Sequence, residues 1–151
     1  MADLERLRAL PIFSDLARDE IEMVVDTARQ VSYPAGACIV EEDKPSPHFY
    51  ILVSGKVRLS KDIPIMGVQQ MGILQPGDYL GEISLVSNYA QYLTATAMES
   101  CTLLEFHRDL FNQMLDEHRD LAYKMLRHLC HLQSTRLRDV NNLLKHIFAT
   151  V

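Results

Sequence analysis

The chain has 151 residues, 48% of them hydrophobic and 23% charged, with a formal net charge of -5. That length suits one domain, whose core needs no disulfide or structural metal. The acidic balance argues against a nucleic-acid surface, which is ordinarily basic, and no apolar run reaches the roughly 18–20 residues of a membrane span.

Met1 to Leu10 carries acids and lacks the apolar segment of a secretory leader. Residues 1–30 read as a helical lead-in. Ser14 before Asp15-Leu16-Ala17 predicts a helix start, and Leu16, Ile21, Val24 and Val25 fall on one helical stripe. Pro11 and Phe13 form an entry segment that packs back on the helix.

Residues 31–107 change period. Tyr33-Pro34-Ala35-Gly36 is a turn, followed by short β-type runs at Cys38–Val40, Phe49–Val53, Lys56–Leu59, Gly72–Leu74, Ala95–Ala97 and Thr102–Phe106. Ser54-Gly55 between two runs predicts a hairpin. Gln75-Pro76-Gly77-Asp78 has Pro and Gly where a type II turn wants them. Such spacing predicts a sandwich, jelly roll or barrel.

Residues 108–151 are helical again. Leu110, Phe111, Met114 and Leu115 make a short apolar face. A long helix from Leu121 keeps a four-three apolar spacing through Leu126, Leu129, Val140, Leu143 and Ile147, interrupted by Gln133 and Arg136.

The order of these motifs resembles the cyclic nucleotide-binding domain family. The resemblance rests on Tyr33-Pro34-Ala35-Gly36, Phe49 to Val57, Pro76-Gly77-Asp78-Tyr79-Leu80-Gly81-Glu82-Ile83-Ser84-Leu85 and Thr94-Ala95-Thr96-Ala97. It covers nearly the whole chain, including the Pro-Ile-Phe-Ser-Asp-Leu entry and both trailing helices. It implies a mainly β fold: a double-stranded β-helix, or jelly roll, with an N-terminal helix and two C-terminal helices, forming one domain over residues 1–151. It also implies a ligand site at Gly81, Glu82, Ile83, Ser84 and Leu85. There the amides of a short helix cradle the cyclic phosphate and the Glu82 carboxylate accepts the ribose hydroxyl.

The chain departs from the family pattern at the arginine that pairs with the phosphate. That position falls on Gln91, followed by Tyr92 and Leu93 where small residues are usual. Glutamine offers amide donors without charge, whereas arginine gives a bidentate contact roughly twice as strong as a neutral one. Between Lys61 and Arg108 there is no Lys or Arg. Residues 1–107 hold 8 basic and 15 acidic side chains, net -7, and residues 108–151 hold 7 and 5, net +2.

The expectation is a non-enzymatic, cytoplasmic regulatory sensor that binds cAMP or cGMP weakly or not at all, or takes another small ligand. Glu82, Gln91 and Tyr92 face that ligand, and Phe111, Leu126 and Leu129 form the moving lid or dimer face. An alternative is a ligand-free interaction scaffold whose pocket Tyr92 and Leu93 fill. A second is that backbone amides plus a distant base such as Arg58 suffice for the phosphate. The resemblance to activator-type regulators implies that a helix-turn-helix follows the long helix. The chain ends at Val151 without room for one, so either the sequence is a piece of a longer protein or it acts through a partner; the expected partners are an unidentified output protein and a second copy through the C-terminal helix, with neither DNA nor membrane.

Three scattered cysteines, Cys38, Cys101 and Cys130, suit reduced thiols and do not supply an iron–sulfur cluster. His128 and His131 stand three apart around Cys130, without a third metal ligand in pattern. Nothing is arranged as a catalytic constellation: there is no His-x-His cluster, and no base motif around Ser84.

Overall fold

The computed structural model describes residues 4–150. A short helix α1 (Leu4–Arg8) and a 3-10 turn (Pro11–Phe13) lead into α2 (Arg18–Thr27). Ser14 does not start that helix. Its Oγ donates to the Pro11 carbonyl at 2.8 Å and closes the turn. The helix begins three residues on, where Glu20 Oε1 accepts the Ala17 N–H at 3.0 Å and satisfies an orphan donor of the first turn.

Eight strands follow: β1 (Arg29–Tyr33), β2 (Cys38–Val40), β3 (His48–Ser54), β4 (Val57–Ile63), β5 (Gly67–Leu74), β6 (Tyr79–Leu80), β7 (Thr94–Ala97) and β8 (Cys101–His107). Helix α3 (Ile83–Val86) lies between β6 and β7, and α4 (Arg108–Glu117) and α5 (Arg119–Ala149) close the chain. The strands form two antiparallel sheets, ordered β1-β8-β3-β6 and β2-β7-β4-β5. This is the expected jelly roll with flanking helices. The strand region opens at Arg29 instead of Val31, and the long helix starts at Arg119 instead of Leu121.

Alternation along β3 and β8 sorts the core into two halves. Phe49, Ile51, Val53, Leu104 and Phe106 face the helices, while Tyr50, Leu52, Leu103 and Cys101 face the second sheet. The helix side centres on Phe49, Phe106 and Phe111, with ring centroids 5.1–5.8 Å apart. Leu121, Met125 and Leu129 of α5 pack into the same cluster. Phe111 and Leu129 are therefore core residues in this arrangement and not an exposed seam. Leu126, on the other side of α5, is 51% exposed.

Ser54-Gly55 turns a corner and makes no hairpin. The strand before it pairs with β6 and β8, the strand after it with β5 and β7. Gly55 has φ +93°, and a Cβ there would stand 2.7 Å from both Cys101 Sγ and the Ser100 carbonyl. The chain passes between sheets at a point where only glycine fits. The hairpin lies one strand later, between β4 and β5, closed by Met66 N–H to Ile63 O at 3.1 Å. The Gln75–Asp78 turn forms as expected, with Gly77 at φ +95° and Asp78 N–H bonded to Gln75 O at 2.9 Å.

Candidate functional site

A cavity of about 740 Å³ opens between the second sheet, the β6–α3 segment and the middle of α5. Gly81 begins this segment at φ +79°. A Cβ there would lie 2.6 Å from the His48 carbonyl oxygen. Glycine is required because the backbone crosses β3 closely, whatever the cavity holds. Ser84 sits at the same crossing: its hydroxyl shares one proton between Gly81 O at 2.6 Å and His48 O at 3.0 Å.

The segment splits the expected site. Gly81 and Glu82 line the cavity, as do Gln91 and Tyr92, but Ile83, Ser84 and Leu85 do not. The Ser84 and Leu85 amides are taken by Gly81 O and Glu82 O, each at 3.0 Å, and Leu85 packs against the helix-side core.

Glu82 is held from two directions. Its Oε1 accepts from the Tyr92 hydroxyl, from Gln133 Nε2 at 2.7 Å and from Arg136 Nη1 at 3.5 Å. Arg136 also donates through Nη2 to Tyr79 O at 2.7 Å, and its guanidinium sits 4.4 Å from the centre of the Tyr79 ring. Tyr79 is fully buried and donates its hydroxyl to Leu129 O at 3.0 Å. Partial desolvation, then the Glu82 carboxylate, pushes the Tyr92 phenol above its ordinary range, and the neutral phenol donates to Glu82.

The cavity thus has two cations that the local sequence did not reveal. Arg136 arrives from α5, and Lys61 from β4. Lys61 Nζ donates to Glu42 Oε1 at 2.8 Å and to Tyr92 O at 2.9 Å. Arg58 is exposed and lies outside the lining. The polar breaks at Gln133 and Arg136 in the apolar stripe of α5 were the available signal: they are the side chains that clasp Glu82.

Gln91 is anchored by its backbone. Its carbonyl accepts from Asp43 N–H at 2.7 Å, and its N–H donates to Lys44 O at 2.9 Å. The residue is 4% exposed, and its buried Nε2 has no hydrogen-bond partner. Tyr92 and Leu93 line the cavity without filling it. Among the described residues, no three or more His, Cys, Asp or Glu side chains are grouped to hold a metal ion. His128 is half-buried, Cys130 and His131 are exposed, and all three cysteines are free. No helix among the described residues is long and apolar enough to cross a membrane.

The model for the cyclic nucleotide-binding domain matches residues 30–118, more than half of the chain. The chain belongs to the cyclic nucleotide-binding domain family. It is 25% identical over 146 residues to a CRP-like cAMP-activated global transcriptional regulator of Mycobacterium tuberculosis, covering 97% of this chain and 63% of that protein. It is 28% identical over 118 residues to a cAMP-dependent protein kinase regulatory subunit of Aspergillus fumigatus, covering 76% of this chain and 27% of that protein. The chain therefore spans less than two thirds of these relatives' length. A cyclic nucleotide-binding domain from Methylobacillus flagellatus shares the fold with a TM-score of 0.83 at 23% identity, covering 95% of this chain and 81% of that one.

Proposed function

We propose that this chain is a regulatory sensor domain in signal transduction, not an enzyme. Its cavity takes a small molecule, and α5 carries the response to an output protein. The observation that supports this reading most is the clasp on Glu82. One carboxylate in the cavity wall is bonded at once to Tyr92 of the wall and to Gln133 and Arg136 of α5. A ligand that takes Glu82 Oε1 competes with those bonds, so its binding energy differs between the clasped and released helix. That differential is the condition for a population shift.

Cyclic nucleotides are weak ligands of this cavity, or none. Gln91 stands at the position of the phosphate-pairing arginine, and both lining cations are already engaged. Titration calorimetry with cAMP and cGMP should show no binding in the micromolar range or tighter; binding at that level overturns this part of the reading. The open cavity favours the sensor over a ligand-free scaffold packed by Tyr92 and Leu93. Free thiols fit a reducing, cytoplasmic setting. A second copy of the chain is assigned to the far half of α5.

A further inference from the structure

The contents of this cavity are constrained by charge, apolarity and one orphaned donor. Its lining carries two cations, Lys61 and Arg136, against three carboxylates, Asp78, Glu82 and Asp139. Each cation already has an acidic partner, Glu42 for Lys61 and Glu82 for Arg136. A phosphate entering here finds no uncommitted positive charge and a carboxylate excess. The rest of the wall is mainly apolar, with Val40, Leu59, Ile73 and Leu80 on the barrel side and Leu132 and Val140 on α5. Against this wall Gln91 is almost wholly buried, with its Nε2 unpartnered. Buried donors are nearly always satisfied, and an apolar cavity with a few placed polar groups is the usual form of a small-molecule site.

We propose that the cavity binds an uncharged, mainly apolar organic molecule that presents a carbonyl or similar acceptor to the Gln91 amide. Gln91 thereby replaces charge recognition of a phosphate with neutral hydrogen bonding. The volume of about 740 Å³ falls within the roughly 300–1,000 Å³ of drug-sized ligand sites. This assignment rests on the sensor reading above and names its ligand class.

The test uses the neutral ketone dye prodan, whose emission reports both apolarity and hydrogen bonding to its carbonyl, beside the anionic dye anilinonaphthalene sulfonate. Prodan should bind the whole chain saturably and more tightly than the sulfonate. Gln91→Leu should weaken it about threefold to tenfold, the worth of one neutral hydrogen bond, and should remove the carbonyl-bonding signature from the bound emission. Gln91→Glu should weaken it as well. Ile73→Trp, which fills the cavity from a partly exposed strand position, should abolish it, with the fold checked by circular dichroism. Prodan binding that is unsaturable, unchanged in both Gln91 variants, or weaker than that of the sulfonate overturns the proposal. Prodan failure alone removes the neutral-ligand assignment and leaves the nucleotide-excluding sensor reading intact. Micromolar cAMP or cGMP binding removes the nucleotide exclusion instead, so the two failures are told apart.

Discussion

Gly81 shows how a correctly marked residue can have a different physical cause from the one its motif suggests. The motif places a glycine where the backbone meets a ligand, but here the His48 carbonyl occupies the space a Cβ would need. That oxygen belongs to the backbone of β3, so it yields little. Gly81→Ala should therefore destabilise the fold by the left-handed backbone cost of about 1–2 kcal/mol, with a further roughly 1–3 kcal/mol for overpacking. A lowered denaturant midpoint with an unchanged slope would show it; a parent-like midpoint would refute the steric account. Glu82 and Gln91 were legible because they sit beside that glycine in one motif. Gln133 and Arg136 lie more than fifty residues from Glu82, and in sequence they read only as defects in an apolar stripe. A long-range ion pair leaves no local spacing to detect, whereas a turn glycine does.

At the scale of elements, the strands that sequence marked are those of three or more residues with at least one buried apolar side chain. The two it missed lack that signal: β1 is the polar edge segment Arg29–Tyr33, and β6 is two residues long. Ser54-Gly55 predicts a hairpin, but turn propensity alone does not distinguish a hairpin from a passage between sheets. Another connection invisible in sequence joins α2 to α5. Lys124 Nζ donates to Glu20 Oε1 at 2.6 Å, and Glu20 also caps its own helix through Ala17 N–H. The Lys124 hydrogen bond, opposed by desolvation and aided by the Ala17 amide, holds the Glu20 carboxyl below its ordinary range. A depressed carboxyl pKa stabilises the native state fully above the unfolded value, and that contribution is lost as pH falls through the lower folded value. Lys124→Met should thus lower the melting temperature modestly at neutral pH, and the gap from the parent should close as the carboxyl protonates. A gap that stays constant across the acid range would show that the loss is packing, not charge.

At the scale of the whole molecule, α5 has two halves with different partners. Its 31 residues span roughly 46 Å at 1.5 Å per residue, longer than its contact with the barrel. Leu121, Met125 and Leu129 are buried in the helix-side core, whereas Leu137, Val140, Leu143, Leu144, Ile147 and Phe148 are all exposed. Val140, Leu143 and Ile147 repeat at three and four residues, the spacing of a two-stranded helical seam. A contiguous exposed apolar strip of this kind marks an interaction surface, and a heptad-like spacing is matched by the same spacing on a second copy of the helix. Val140 and Leu143 also line the cavity, so a second copy at this seam and a ligand in the cavity would meet the same turns of helix. Sedimentation of the whole chain should show a concentration-dependent monomer–dimer equilibrium. Ile147→Glu lies outside the cavity lining and would set like charges against each other at the seam, so it should shift the equilibrium strongly toward monomer while leaving prodan binding to the monomer in place. A parent chain that sediments as monomer at every concentration would assign the strip to a different partner. An Ile147→Glu dimer as tight as the parent's would move the seam elsewhere on α5.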